Sequence, residues 1–177
     1  VLTSAGNTVI GATVLTTEDI TIAVTGTLST TAALGDSNCA GTIDIDASGN
    51  TSIGAAVKTS GAIQITTTSS GTLTTTSSGT LGASSDPTTA GAIALDVDAG
   101  ITIGAAIVTT GTVTVTADGA TTVGGTITST GNMLMTVTTG IATVNSVMKT
   151  LTGTLTVTAS DSKIVTTADI GDSNTSG

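Results

Sequence analysis

The sequence predicts an all-β chain, wound as a parallel β-solenoid of about eight coils of roughly 20 residues each. Three observations carry that expectation: a composition built from strand formers, a short apolar motif that returns at a nearly constant interval, and turn residues that return in phase with it. The alternative is an antiparallel β-sandwich, because many short strands separated by turns read similarly. A sandwich, however, needs no constant period.

The 177 residues carry 38% hydrophobic and 8% charged side chains, no aromatic residue, no His, 23 Gly and one Pro. About a quarter of the chain is Thr. Ordinary domains carry roughly 25% charged residues, so this chain lies well outside the usual globular balance. Chains rich in Gly, Ser and Thr are often disordered, but a mean hydropathy of +0.48, carried by Val, Ile, Leu and Ala, argues against that here. Thr, Val and Ile branch at Cβ, which restricts them in helices and suits them to strands.

Repeats set the topology. Gly-Thr-Ile-Asp-Ile at 41–45 returns as Gly-Ala-Ile-Gln-Ile at 61–65, Gly-Ala-Ile-Ala-Leu at 91–95, Gly-Thr-Val-Thr-Val at 111–115 and Gly-Asn-Met-Leu-Met at 131–135. A second signature follows the motifs at 41–45, 91–95 and 111–115: Ile53-Gly54-Ala55-Ala56-Val57, Ile103-Gly104-Ala105-Ala106-Ile107 and Val123-Gly124-Gly125-Thr126-Ile127, with Ile10-Gly11-Ala12-Thr13-Val14 in the same phase. The units are 1–17, 18–40, 41–60, 61–90, 91–110, 111–130, 131–152 and 153–177, each with two strands. Alternation then points Ile43, Ile45, Ile53, Val57, Ile93, Leu95, Ile103, Ile107, Val113, Val115, Val123 and Ile127 into one narrow core. Ser48-Gly49-Asn50, Ala99-Gly100 and Asp118-Gly119 supply the turns, and Ser60-Gly61 and Thr110-Gly111 close the units. Corners should therefore stack on corners. Unit 61–90 is longer, and its low-complexity tract predicts a loop extruded around 70–90, with Pro87 in it.

Function is narrowed first by what is missing. With no His, Arg, Trp, Tyr or Phe, the chain lacks the ordinary general base, the guanidinium clamp and any ring for stacking, so no enzyme is expected. A net charge of -9, with Lys58, Lys149 and Lys163 the only side-chain cations, argues against nucleic acid and anionic membranes. No apolar run approaches the ~18 residues that a spanning helix needs, so membrane insertion is not expected. Val1 reads as the start of a processed chain or of an excerpt. Cys39 has no partner for an internal disulfide and reads as an inert thiol at a corner, with a cross-link between chains as the alternative.

Candidate sites are few. Asp44 and Asp46, with Asp96 and Asp98, are alternate outward carboxylates of the kind that hold Ca²⁺, although a solvated acidic face is the favoured reading, since no Asp-x-Asp-x-Asp-Gly loop is present. No other cofactor is expected. Asn50 and Asn174 each begin an Asn-Thr-Ser acceptor pattern for N-glycosylation. Threonine runs such as 112–116 raise an ice-binding surface, but the outward rows Thr21/Ala23, Asp44/Asp46, Gln64/Thr66, Ala94/Asp96, Thr114/Thr116 and Leu134/Thr136 are mixed. Outward positions Leu15, Ala33, Ala56, Ala106, Val108 and Met148 on the second strand form an apolar set that suggests a lateral contact.

The motifs Gly-Ala-Ile-Ala-Leu, Ile-Gly-Ala-Ala-Ile-Val-Thr-Thr-Gly-Thr-Val-Thr-Val (103–115) and Ser-Thr-Gly-Asn-Met-Leu-Met (129–135) resemble the repeat regions of filamentous-haemagglutinin-type adhesins and related giant bacterial surface proteins. That resemblance implies a right-handed parallel β-helix, displayed outside the cell or on its surface as a stalk, fibre or adhesin. It carries over no ligand-binding residue. The expected partner is a second copy, head to tail: the strand around Val9, Ile10 and Val14 should meet the coil around Val165 and Ile170 of a neighbour.

Overall fold

The computed structural model describes residues 1–82, 91–160 and 163–171. Every regular element among them is a strand, and every strand pairing is parallel. The chain climbs as a β-solenoid of about seven turns, each of about 21 residues. Each turn has three faces. The middle coil illustrates them: Ile93–Val97 lies on the first face, Ile101–Ile103 on the second and Ile107–Thr109 on the third. Eight strands stack on the first face, eight on the second and four on the third. Single bridges at Val14, Leu34, Val57 and Ile170 carry the third ladder through the remaining coils.

The expected two strands per coil are thus three. The second signature does not run as one strand: Thr51–Ile53 ends at Gly54, the chain bends, and Val57 joins the third face. The bend occurs there because Gly54 donates its N–H to Thr30 O at 2.7 Å, in the coil below, and has no Cβ to collide with that carbonyl. Three corner residues preserve side-chain parity, so Val57 still points inward. All twelve residues predicted to share the core do so, none more than 1% exposed.

Met148 departs from the expectation. It was expected outward and lies in the core at 0% exposure, beside Ile127. The corner before Ala142 holds one residue more than its counterpart below, since Val137 pairs with Ala117 twenty positions earlier while Ala142 pairs with Thr121 twenty-one earlier. Gly140, at φ +95°, absorbs the extra residue, and Ala142–Val144 and Met148 keep the inward phase one position later. The tract expected to leave the stack from about residue 70 stays in the wall as far as Gly82, through strands Leu73–Thr75 and Leu81–Gly82. Residues 83–90, where Pro87 falls, lie outside the described residues.

Hydroxyls lock the corner between the third and first faces. Thr109 Oγ1 donates to Gly91 O at 2.5 Å and accepts from Gly111 N at 2.9 Å; Ser129 and Thr150 donate to Gly131 O and Gly153 O at 2.8 and 2.7 Å. Each inward hydroxyl thereby satisfies backbone groups that the bend leaves without ladder partners. Other inward hydroxyls have no partner: Thr30, Thr51 and Thr121 are buried with Oγ1 unpaired. A buried donor left unsatisfied costs about 1–3 kcal/mol, and Val has nearly the same shape as Thr. Thr51→Val and Thr121→Val are each expected to stabilise the fold by about 1 kcal/mol in thermal or chemical denaturation. Thr75→Val should act oppositely, because Thr75 Oγ1 accepts from Gly104 N and Ala105 N at 3.1 and 3.3 Å.

Candidate functional site

The solenoid offers three lateral faces and two ends, and each carries a different chemistry. On the first face the outward residues form two columns. One runs Thr21, Asp44, Gln64, Ala94, Thr114, Leu134 and Thr156; the other runs Thr3, Ala23, Asp46, Thr66, Asp96, Thr116, Thr136 and Thr158. These are the rows read from the sequence, in the same order, and they are as mixed as expected.

The four candidate Ca²⁺ ligands do not converge. Asp44 and Asp46 share a strand, while Asp96 stands two rungs away beyond Thr66, about 9.6 Å along the stack. Asp98 lies past the end of its strand at the next corner. Among the described residues no group of three or more His, Cys, Asp or Glu is arranged to hold a metal.

Asp44 does have a perturbed acidity: partial burial first, and then the neighbouring charge of Asp46, push its carboxyl above the usual range. A raised folded-state pKa means that the folded chain binds this proton more tightly than the unfolded chain. The associated stability is fully present below the ordinary value of 3.8 and is lost as pH rises through the folded-state value. The difference in melting temperature between Asp44→Asn and the parent should therefore favour the variant at pH 7 and shrink as pH falls toward 3.8. A gap independent of pH would contradict this.

The second face carries a feature that the two-strand phasing hid. Its strands are three residues long and show one side chain outward each, in the column Val9, Ser29, Ser52, Thr74, Thr102, Thr122, Thr143 and Val165. Six consecutive rungs are hydroxyls, none charged, and none of them hydrogen-bonds to protein within the described residues. With each coil phased as three strands, this row is visible in the sequence as the central residue of every short strand.

The third face bears Lys58 and Lys149 in one outward column, with Gly82, Val108 and Thr128 between them. The expected apolar set does not assemble there. Ala33, Ala56, Ala106 and Val108 are half-buried, Met148 is inside, and Leu15 sits at the N-terminal end.

The ends are where the core opens. At the N-terminal end, Val1, Leu2, Ile10, Val14, Ile20 and Ile22 line an open cavity of about 240 Å³. Val9 is 72% exposed and Leu15 61%, whereas Ile10 is buried and Val14 half-buried. At the other end Ile164 and Ile170 are 42% and 37% exposed, although they occupy columns that are buried in every central coil. The predicted assembly residues Val9, Ile10, Val14 and Leu15 thus gather at one end and Val165 and Ile170 at the other. Val108 and Met148 lie between the ends.

Two remaining candidates are placed by their surroundings. Cys39 is fully buried, its Sγ 3.5 Å from Glu18 O, so the thiol is a small core residue with no access to another chain. Asn50 is exposed at a corner, its Oδ1 accepting from Thr72 N at 3.0 Å and Thr72 Oγ1 at 3.1 Å in the next coil. Asn7 and Asn132 make the same upward bond to Thr27 N and Thr154 N, so Asn50 has a structural role as a corner tie. Asn174 lies outside the described residues. Comparison with family models, curated proteins and solved structures finds no match.

Proposed function

We propose that the chain is a non-enzymatic, extracellular or cell-surface structural protein, a subunit or segment of a β-solenoid fibre, filament or adhesin stalk. The observation that carries this reading is the uninterrupted stack of parallel coils, each hydrogen-bonded to the next along one axis. Its sides are closed by ladder hydrogen bonds and carry mostly polar outward residues, with Leu134, Ile141, Val147 and Leu151 as exposed apolar exceptions. A strand edge recruits further strands, and the coil that offers a matching three-sided edge is one of the same kind, from a second copy or from more of the same repeat. The composition fits a load-bearing role, with few charges and no ring, guanidinium or imidazole for recognition. The test is electron microscopy with light scattering on the concentrated chain. Filaments with an axial repeat of about 4.8 Å are the expected result. A monodisperse monomer at high concentration would refute the fibre.

A second reading, a surface binding module, is favoured by the row of six hydroxyls on the second face, which make no hydrogen bond to protein among the described residues. Its ligand would be an ordered array that meets a hydroxyl about every 4.8 Å, such as ice or an extended glycan. Thermal hysteresis or glycan-array binding, abolished by Thr102→Lys with Thr122→Lys, would establish it.

A further inference from the structure

We propose that the second face is a contact between copies, in which two stacks lie face to face and antiparallel about a two-fold axis that passes between the rungs of Thr74 and Thr102. The proposal rests on the reading of this face as a binding surface, and it gives the hydroxyl row one occupant, a second copy of this chain. Its starting point is charge. The chain carries a net charge of -9, yet no charged residue stands on the second face from Ser29 to Thr143, either in the central column or in the column on each side of it. The other two faces offer no matched ionic contact. Lys58 and Lys149 stand four rungs apart on the third face, whereas Asp44, Asp46 and Asp96 on the first span two, so no alignment gives both lysines a carboxylate there.

A hydroxyl both donates and accepts, so two identical hydroxyl rows complement each other, as rows of carboxylates or ammonium groups do not. Both stacks repeat every ~4.8 Å, so a fit at one rung is a fit along the row. Under the two-fold, Thr74 meets Thr102 of the other copy, Ser52 meets Thr122 and Ser29 meets Thr143. All six hydroxyls, none of which bonds to protein among the described residues, then face partners. No other centre brings in all six.

The flanking columns select the antiparallel arrangement. On one side of the row Thr72 is followed by Gly100, with Asn50 and Ala120 on the rungs beyond them; on the other side Thr76 is followed by Gly104. The two-fold sets Thr72 opposite Gly100, Thr76 opposite Gly104 and Asn50 opposite Ala120, while Gly54 falls opposite Gly124. At the outer rungs Thr27 covers Ile141, which is 47% exposed, and Thr31 meets Asn145. In a parallel pair Thr72 would meet Thr76 and Gly100 would meet Gly104, side chain against side chain and gap against gap. The antiparallel contact is isologous and closes on two copies. Three outward positions per rung over six rungs make a face of about 14 Å by about 29 Å, or about 400 Å² per copy, half of a standard interface. A single pair is therefore weak and forms at high concentration, and stacks that repeat the face hold one another more tightly.

The test mixes two full-length variants, Ser52→Cys and Thr122→Cys, at high concentration with a short thiol-to-thiol cross-linker. Cys39 is buried and does not compete. In the antiparallel pair the two new thiols face each other, whereas two copies of either variant hold theirs three rungs, roughly 14 Å, apart along the axis. The mixed dimer should therefore exceed the dimer from either variant alone by at least about fivefold. Adding Thr102→Lys to both chains should lower that yield about tenfold, even though it lessens the net repulsion, while Thr116→Lys on the first face leaves it unchanged. Added salt should raise the yield, because it screens the repulsion between two acidic chains and there is no ion pair to weaken. Efficient cross-linking of each variant with itself, or a yield that falls with salt, would overturn the antiparallel register. Cross-linking no better than that of a first-face control, Thr116→Cys, would overturn the contact between copies; thermal hysteresis or glycan binding by the same chain would then leave the binding surface standing with a different ligand.

Discussion

Replacing Ile103 by Asp is expected to cost at least about 4 kcal/mol, which for a chain of this size lowers the melting temperature by roughly 10 °C or more. Ile103 is fully buried, in ladder register with Thr75 below and Val123 above. None of the three cations lies on the inward columns around it, so an aspartate there has no ion partner. It must either stay charged in an apolar interior or take up a proton at a cost that grows with pH. The damage should spread along the stack, because each coil is held by the coils on either side of it. The control is Thr102→Asp, one residue earlier on the same strand but outward, which should stay within about 0.5 kcal/mol of the parent. Circular dichroism melts of the two variants measure the alternation directly, and equal losses would refute the register.

Replacing Gly111 by Ala is the second large effect, expected at about 2–4 kcal/mol. Gly111 has an ordinary backbone conformation, so the obstacle is space alone. A Cβ there would lie 2.6 Å from both C and O of Gly91 and 2.9 Å from Ala92 N, all backbone atoms that cannot swing aside. Gly41, Gly61, Gly91, Gly111, Gly131 and Gly153 stack at this one corner, and the bonds from Gly91 N to Gly61 O at 2.8 Å and from Gly131 N to Gly111 O at 3.0 Å depend on their close approach. Gly6→Ala, at a position with nothing within 4 Å, should be neutral in the same denaturation experiment.

The core and the outward rows of the first face were legible in the sequence because a strand has the simplest of periods and the coil length is nearly constant. Ile45, Ile65, Leu95 and Val115 fall at the same phase of their units and end in the same inward position. The third face was not legible, for a geometrical reason. A corner such as Gly54-Ala55-Ala56 spans an odd number of residues, so alternation passes through the bend unbroken and two strands read as one. Met148 was misplaced because one extra residue at the Gly140 corner reverses parity, and an insertion of that size is invisible where neighbouring Thr and Gly residues could serve on either face. The hydroxyl row on the second face was hidden by the same phasing. The columns on which Val9, Leu15, Val165 and Ile170 stand were not legible either, because they depend on corner counts that only the coordinates supply.

The corner glycines and their near-constant interval carry one more consequence, for how such a chain can change through descent. Ile107 pairs with Ile127 and Val113 with Met133, twenty positions apart in both cases, so 111–130 is one whole winding. Duplicating or excising that segment places Gly131 where Gly111 stood and leaves every remaining type of contact in place. A genetic event that misaligns two windings therefore lengthens or shortens the rod by a single rung, about 4.8 Å, without an intermediate that fails to fold. Rod length becomes a quantity that heredity can adjust in unit steps.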